Sequence, residues 1–152
     1  MEAWRRGRLL LVFGLGDEAY ALDASRVLRV LPAIAPRPIP QTPAFVAGVI
    51  DYLGQALPVI DLCQLCLGRA CEPWLSTRIL LVDYGPGPLG VMVERLTRTT
   101  RQDTSEFKPA GVDGPPFLGG LQCSPQGLTQ LLSIDELLTD EVRAILYPDL
   151  AS

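Results

Sequence analysis

The stretch VAGVIDYLGQALPVIDLCQLCLG, Val46–Gly68, is the part of the chain whose reading decides the fold. Val46 to Leu53 and Ala56 to Ile60 are short apolar runs separated by Gly54-Gln55, a turn-forming pair, and so read as strand, turn and strand. Asp61 stands where a side-chain oxygen caps a helix, Leu62 to Leu67 is long enough only for a short one, and Gly68 is placed to end it. Elements this short, following one another so closely, predict a mainly β chain.

Working outward toward the N-terminus, five prolines at 32, 36, 38, 40 and 43 remove amide donors and exclude helix, so this stretch crosses extended over the surface or along a sheet edge. Before it, Val27 to Leu31 is a further apolar segment. Leu9 to Leu15 and Glu18 to Asp23 flank Gly16-Asp17 and form a β-hairpin. Toward the C-terminus, Arg78 to Tyr84 and Leu89 to Arg95 make another hairpin, and Leu96 to Gln102 continues as a Thr-rich strand suited to a half-exposed edge. Asp103 to Pro116 reads as a long loop, followed by strands near Phe117 to Cys123 and Gly127 to Leu132. A C-terminal helix over 134–147 is expected from a capping box of Ser133 and Glu136 and a staple of Leu132 with Leu137. Its apolar face comprises Ile134, Leu137, Leu138, Val142, Ile145 and Leu146. About ten short strands in two similar sets predict one domain, 1–152, built of two small closed or nearly closed β-barrels, with lobes near 9–72 and 73–133 and the helix docked on them.

Composition narrows the function. A chain of 152 residues, 48% hydrophobic and 20% charged, has enough apolar material for a core and is not intrinsically disordered. It contains no histidine. That removes the commonest general base, the Ser-His and Cys-His pairs and every His-containing zinc site. Its net charge of −4 disfavours approach to phosphate backbones, so nucleic acid is not an expected partner. Arg5, Arg6 and Arg8 ahead of Leu9–Phe13 superficially resemble a signal peptide, but Gly14, Gly16 and the acidic pair Asp17-Glu18 do not fit one. The uncharged run from Gly114 to Ile134 is broken by Pro115, Pro116 and Pro125, and no membrane insertion is expected.

Four motifs deserve chemical consideration. Gly85-Pro86-Gly87-Pro88-Leu89-Gly90 matches a dinucleotide-binding pattern in letters only: its prolines delete phosphate-binding N–H groups, and a strand rather than a helix follows. Cys63, Cys66 and Cys71, with Cys123 distant, have the count for a four-thiolate zinc or iron–sulfur site or for redox chemistry. Against that, Leu62, Leu65 and Leu67 surround the thiols, no glycine-bearing knuckle follows Cys66, and no βαβ pattern is near, so packed free thiols are the expectation and the metal or redox reading the alternative. Asp51, Asp61, Asp83 and Glu94 fall near strand ends, where caps and solvated turns are the usual roles. Arg95, Arg98 and Arg101, three apart in a strand, do not form one patch.

Leu11-Val12-Phe13-Gly14-Leu15-Gly16-Asp17-Glu18-Ala19-Tyr20-Ala21-Leu22-Asp23 with Val27 resembles the opening hairpin of CheW-type chemotaxis coupling proteins. Thr42-Pro43-Ala44-Phe45, Gly48-Val49-Ile50, Gly54 and Leu57-Pro58-Val59-Ile60-Asp61-Leu62 are similar to the central signature of that family, and Leu89-Gly90-Val91-Met92-Val93-Glu94 to its later hairpin. The resemblance implies two SH3-like five-stranded barrels and a non-catalytic, cofactor-free adaptor, cytoplasmic and peripheral to membrane receptor arrays. Such an adaptor bridges the cytoplasmic tips of methyl-accepting chemoreceptors to the regulatory domain of a CheA-type histidine kinase. Carried over by position, Val27, Gly48 and Leu53 are kinase-facing, while Arg29 and Thr99 face the receptor. Two departures stand out: Asp51-Tyr52-Leu53-Gly54 replaces the common Asn-Leu-Arg-Gly, and Arg29 replaces a common acidic residue. Charge complementarity selects partners, so these changes imply a dedicated partner set. The segment Ser76-Thr77-Arg78-Ile79-Leu80-Leu81-Val82-Asp83-Tyr84, with the divergent second-lobe loop, resembles adaptors of alternative chemosensory systems such as surface-sensing, Wsp-type ones.

Overall fold

The computed structural model describes residues 7–103, 107–108, 114–125 and 127–148. In chain order the elements are β1 (Gly7–Leu15), β2 (Glu18–Asp23), β3 (Val27–Pro32), β4 (Val46–Tyr52), β5 (Gln55–Asp61), α1 (Leu62–Leu67), β6 (Arg78–Asp83), β7 (Pro88–Val93), β8 (Arg95–Asp103), β9 (Leu118–Ser124), β10 (Gly127–Leu132) and α2 (Asp140–Leu146). The expected mainly β architecture is present as two five-stranded, SH3-like sheets, in the orders β8-β1-β2-β10-β9 and β3-β6-β7-β5-β4.

The strands do not divide at residue 72. Strands β3 to β7 form one sheet, while the N-terminal hairpin leaves its sequence neighbours and joins β8, β9 and β10. The link is a parallel register of Ala19 with Thr129 and Ala21 with Leu131. β1 occupies one edge of β2 and accepts β8 on its own far side, and the C-terminal strands add at the other edge of β2.

Neither sheet closes into a barrel through hydrogen bonds among the described residues. At β4 the cause is local. Arg37, flanked by Pro36 and Pro38, exchanges both backbone bonds with Val49 (2.8 and 2.9 Å), and the prolines beside it have no N–H with which to extend the ladder. The proline-rich segment therefore lies along a sheet edge, as its composition suggested.

Alternation along the strands builds more than one core. Leu11, Phe13 and Leu15 belong to a large cluster that also holds Leu80, Val82, Val91 and Val93 of the other sheet, whereas Leu10 and Val12 pack with Ala21 and Phe107. Ile79 and Leu81 likewise turn to a smaller cluster with Leu31, Ile50, Leu57 and Val59. Successive strand side chains point to opposite faces, so burial of both faces explains why LLLVF and ILLV are continuous apolar runs.

At the C-terminus the structure corrects the expected helix. Ile134–Glu136 is a single 3-10 turn, Ser133 makes no side-chain cap bond, and α2 starts only after Thr139, whose Oγ1 accepts the Val142 N–H at 3.3 Å. Ile134, Leu137, Leu138 and Val142 still enter the shared core, while Ile145 is exposed. The apolar spacing was sound, but two competing caps lay six residues apart, and the one at Thr139 begins the helix.

Candidate functional site

The surface features of this molecule are strand edges and hairpin tips. In the β4–β5 hairpin, Tyr52 pairs with Gln55, so the turn consists of Leu53 and Gly54, one residue earlier than expected. Both have positive φ, +52° and +83°. That arrangement suits Asn-Gly, and a branched apolar side chain is rare in it. Asp51 Oδ1 accepts the Gly54 N–H at 2.9 Å and holds the turn. Leu53 is 84% exposed. This apolar side chain is therefore held at a conformational cost while most of its surface faces solvent.

Gly48 lies on β4, beneath the proline-rich segment. It is buried at φ +140°, and a Cβ placed there would lie 2.0 Å from the Arg37 carbonyl oxygen. Its lack of a side chain is what allows the proline-rich segment to close on β4.

Val27 opens β3, at the opposite edge of the sheet order from Gly48 and Leu53. The register of β3 on β6 shifts between Val27 and Arg29, and Leu28, Arg29 and Val30 are all exposed. Such a bulge re-aims successive side chains, here presenting two aliphatic groups with a cation between them. The apolar members, Leu28 and Val30, were not legible as surface residues because their composition matches a buried strand. Thr99 is exposed on β8, the edge of the other sheet, opposite Leu11. The structure therefore places Arg29 and Thr99 on outer strands of different lobes.

The junction between the lobes depends on Glu94, the residue between β7 and β8. Asp51, Asp61 and Asp83 take the turn and cap positions expected of them, accepting from Gly54, from Cys63 and Gln64, and from Gly85. Glu94 instead is fully buried. Its carboxylate accepts two bonds from the Arg69 guanidinium (2.8 and 3.1 Å), the Glu72 N–H (2.7 Å) and the Gly16 N–H (2.6 Å). It thereby ties the β1–β2 turn of one sheet to the loop after α1 that leads into the other. The Arg69 pairing, with the two backbone donors, holds the Glu94 carboxyl down at about 2 despite burial. Arg26 makes a second tie, donating to the Asp83 carbonyl at 2.9 Å and to Asp135 at 2.7 Å.

The four cysteines do not converge. Cys63 is buried, Cys66 and Cys71 are half-buried on or beside α1, and Cys123 is exposed on β9 in the other sheet. Burial, with Cys63 nearby, pushes the Cys66 thiol up to about 12. Among the described residues the grouping with metal-ligating atoms is Asp61, Cys63 and Cys71. Both oxygens of Asp61 are already engaged by backbone donors: Oδ1 by Cys63 and Gln64, Oδ2 by Cys71. The four-thiolate site is therefore not formed.

Two open β sheets, a buried ionic tie between them, an aliphatic-cationic edge and a protruding apolar hairpin define a scaffold that works by presenting surfaces to other proteins. The CheW-like domain model matches residues 9–142, and the chain belongs to that family of non-catalytic scaffold proteins. It is 30% identical over 139 residues to protein FrzA of Myxococcus xanthus, covering 88% of this chain and 87% of the relative. It is 28% identical over 130 residues to chemotaxis protein CheW of Helicobacter pylori, covering 83% and 78%. The crystal structure of the scaffolding protein TtCheW from Thermoanaerobacter tengcongensis superposes with a TM-score of 0.75 at 24% identity, over 88% of each chain, and so shares the fold. The chain is thus a chemotaxis-type adaptor. No helix among the described residues is long and apolar enough to cross a membrane.

Proposed function

We propose that this adaptor couples the cytoplasmic tips of chemoreceptors to the regulatory domain of a CheA-type histidine kinase, in the cytoplasm beside a membrane receptor array. The observation that carries the reading is Leu53, an aliphatic side chain held at φ +52° and 84% exposed on the β4–β5 turn. In this reading Leu53 enters an apolar recess on the kinase domain, Val27 contributes from β3, and Gly48 keeps the β4 edge in shape by leaving room for the Arg37 backbone. Arg29 and Thr99 serve the receptor side from the two outer strands. Burying one leucine at such a contact contributes about 2 kcal/mol, enough to change affinity more than tenfold.

The test is a titration of the purified chain and its Leu53→Asn variant against the kinase regulatory domain and a receptor-tip fragment from the same genome. Asparagine accepts the positive φ, so the turn is retained while the apolar contact is lost. The expected result is at least tenfold weaker kinase binding with receptor binding unchanged. Equal kinase affinities for the two proteins would remove Leu53 from the interface. Failure of the unsubstituted chain to bind either fragment would refute the coupling role.

A further inference from the structure

Cys63 and Cys71 take no part in the surfaces described above, yet they are held together by design of the local backbone. Asp61 Oδ1 accepts the Cys63 N–H and Oδ2 accepts the Cys71 N–H, each at 2.9 Å, so one carboxylate pins the first turn of α1 and the loop after Gly68 to the same point. The two Sγ atoms are 3.1 Å apart. A disulfide bond is about 2.05 Å long, so closure needs an approach of about 1 Å. Cys63 is fully buried, whereas Cys71 is half-buried and reaches solvent, which gives the pair an entry side and an inner partner.

We propose that Cys63 and Cys71 form a dithiol pair that closes to an intramolecular disulfide, an oxidative modification site at the foot of the inter-lobe tie. The Cys71 thiolate attacks one sulfur of a low-molecular-weight disulfide and expels one thiolate, leaving a mixed disulfide on Cys71. The Cys63 thiolate then attacks the Cys71 sulfur and expels the second. The protein gives up two electrons and two protons, and the reagent disulfide is reduced to two thiols. The hydrogen bond to the Cys63 sulfur, burial and the neighbouring Asp61 all raise the Cys71 thiol, so exchange is slow and the outcome is read at equilibrium. The cross-linked loop contains Arg69 and ends immediately before Glu72, two of the groups that hold Glu94. Oxidation therefore fixes the segment on which the lobe junction depends.

The experiment equilibrates the full chain with oxidised glutathione, quenches free thiols by alkylation, and measures intact mass and a peptide map. The expected result is the loss of two hydrogen masses, a peptide joining Cys63 to Cys71, and reversal by dithiothreitol. The Cys66→Ala variant retains the link, Cys71→Ser lacks it, and the oxidised chain unfolds at a higher temperature than the reduced one. Glutathione adducts without an internal link, a bond between Cys63 and Cys66, or thiols that stay free at equilibrium would each overturn the proposal. So would a native mass carrying one zinc ion with Cys63 and Cys71 protected from alkylation, because metal ligation would then be the use of the pair.

Discussion

The β1–β2 and β4–β5 hairpins both have two-residue turns, and the molecule treats them in opposite ways. In the β1–β2 turn, Gly16 at φ +58° donates its N–H to buried Glu94, and its carbonyl accepts from the Arg95 guanidinium. In the β4–β5 turn, Leu53 stands at nearly the same φ, +52°, with only Asp51 supporting its neighbour and its side chain in solvent. The first turn has the residue its backbone favours and is locked into the junction between sheets. The second has a residue its backbone disfavours and is left free. Backbone economy at one site and backbone strain at the other separate a structural turn from one that presents a side chain.

The sharpest way to break this contrast is Glu94→Ala. It leaves the Gly16 and Glu72 N–H groups and the Arg69 guanidinium without their acceptor, and a loss of about 4 kcal/mol is expected in urea unfolding, much of the stability of a domain this size. A loss below about 1 kcal/mol would mean that the two turns are not energetically distinct.

Acid probes the same tie without mutation. The Glu94 carboxyl is lowered from an ordinary 4.5 to about 2 by folding, so its contribution is complete above about pH 4.5 and disappears as pH falls toward 2. The shift corresponds to about 3 kcal/mol as an order of magnitude. Unfolding free energy measured across that range in the wild type, minus the same curve for Glu94→Gln, should slope downward toward low pH. Parallel curves would assign the acid sensitivity to other carboxylates.

The smallest effect sharpens the comparison from the other side. Leu53→Asn relieves the positive-φ strain and removes exposed apolar surface, so a gain of about 1 kcal/mol is expected in thermal or denaturant unfolding. A destabilised Leu53→Asn variant would show that Leu53 contributes to the fold.

Much of the local structure was legible. Asp61 and Gly68 bracket α1 as their types require: the Asp61 side chain accepts two backbone N–H groups, and Gly68 adopts φ +75°. The glycine-proline motif at 85–90 is the β6–β7 turn and the start of β7, where Tyr84 N–H reaches the Gly87 carbonyl at 3.2 Å. The loop expected over 103–116 lies largely outside the described residues; within it, Lys108 bridges Leu121 of β9. Less legible was Glu94, grouped by position with three turn and cap aspartates. Only the approach of Gly16, 78 residues earlier, and of Arg69 turns that carboxylate into a buried tie. Leu28 and Val30 were equally opaque, since an aliphatic residue on an edge strand has the same letters as one in the core.

The sequence by itself determined the elements and the family: periodicity, proline placement and capping residues act over a few positions, and their energies are set by neighbours in the chain. The tertiary structure decided which strands share a sheet, that Gly48 is buried under Arg37, that Glu94 joins the lobes and that Cys63 meets Cys71. Those outcomes depend on which surfaces exclude water together, and that is a property of segments brought into contact across long separations rather than of any segment alone.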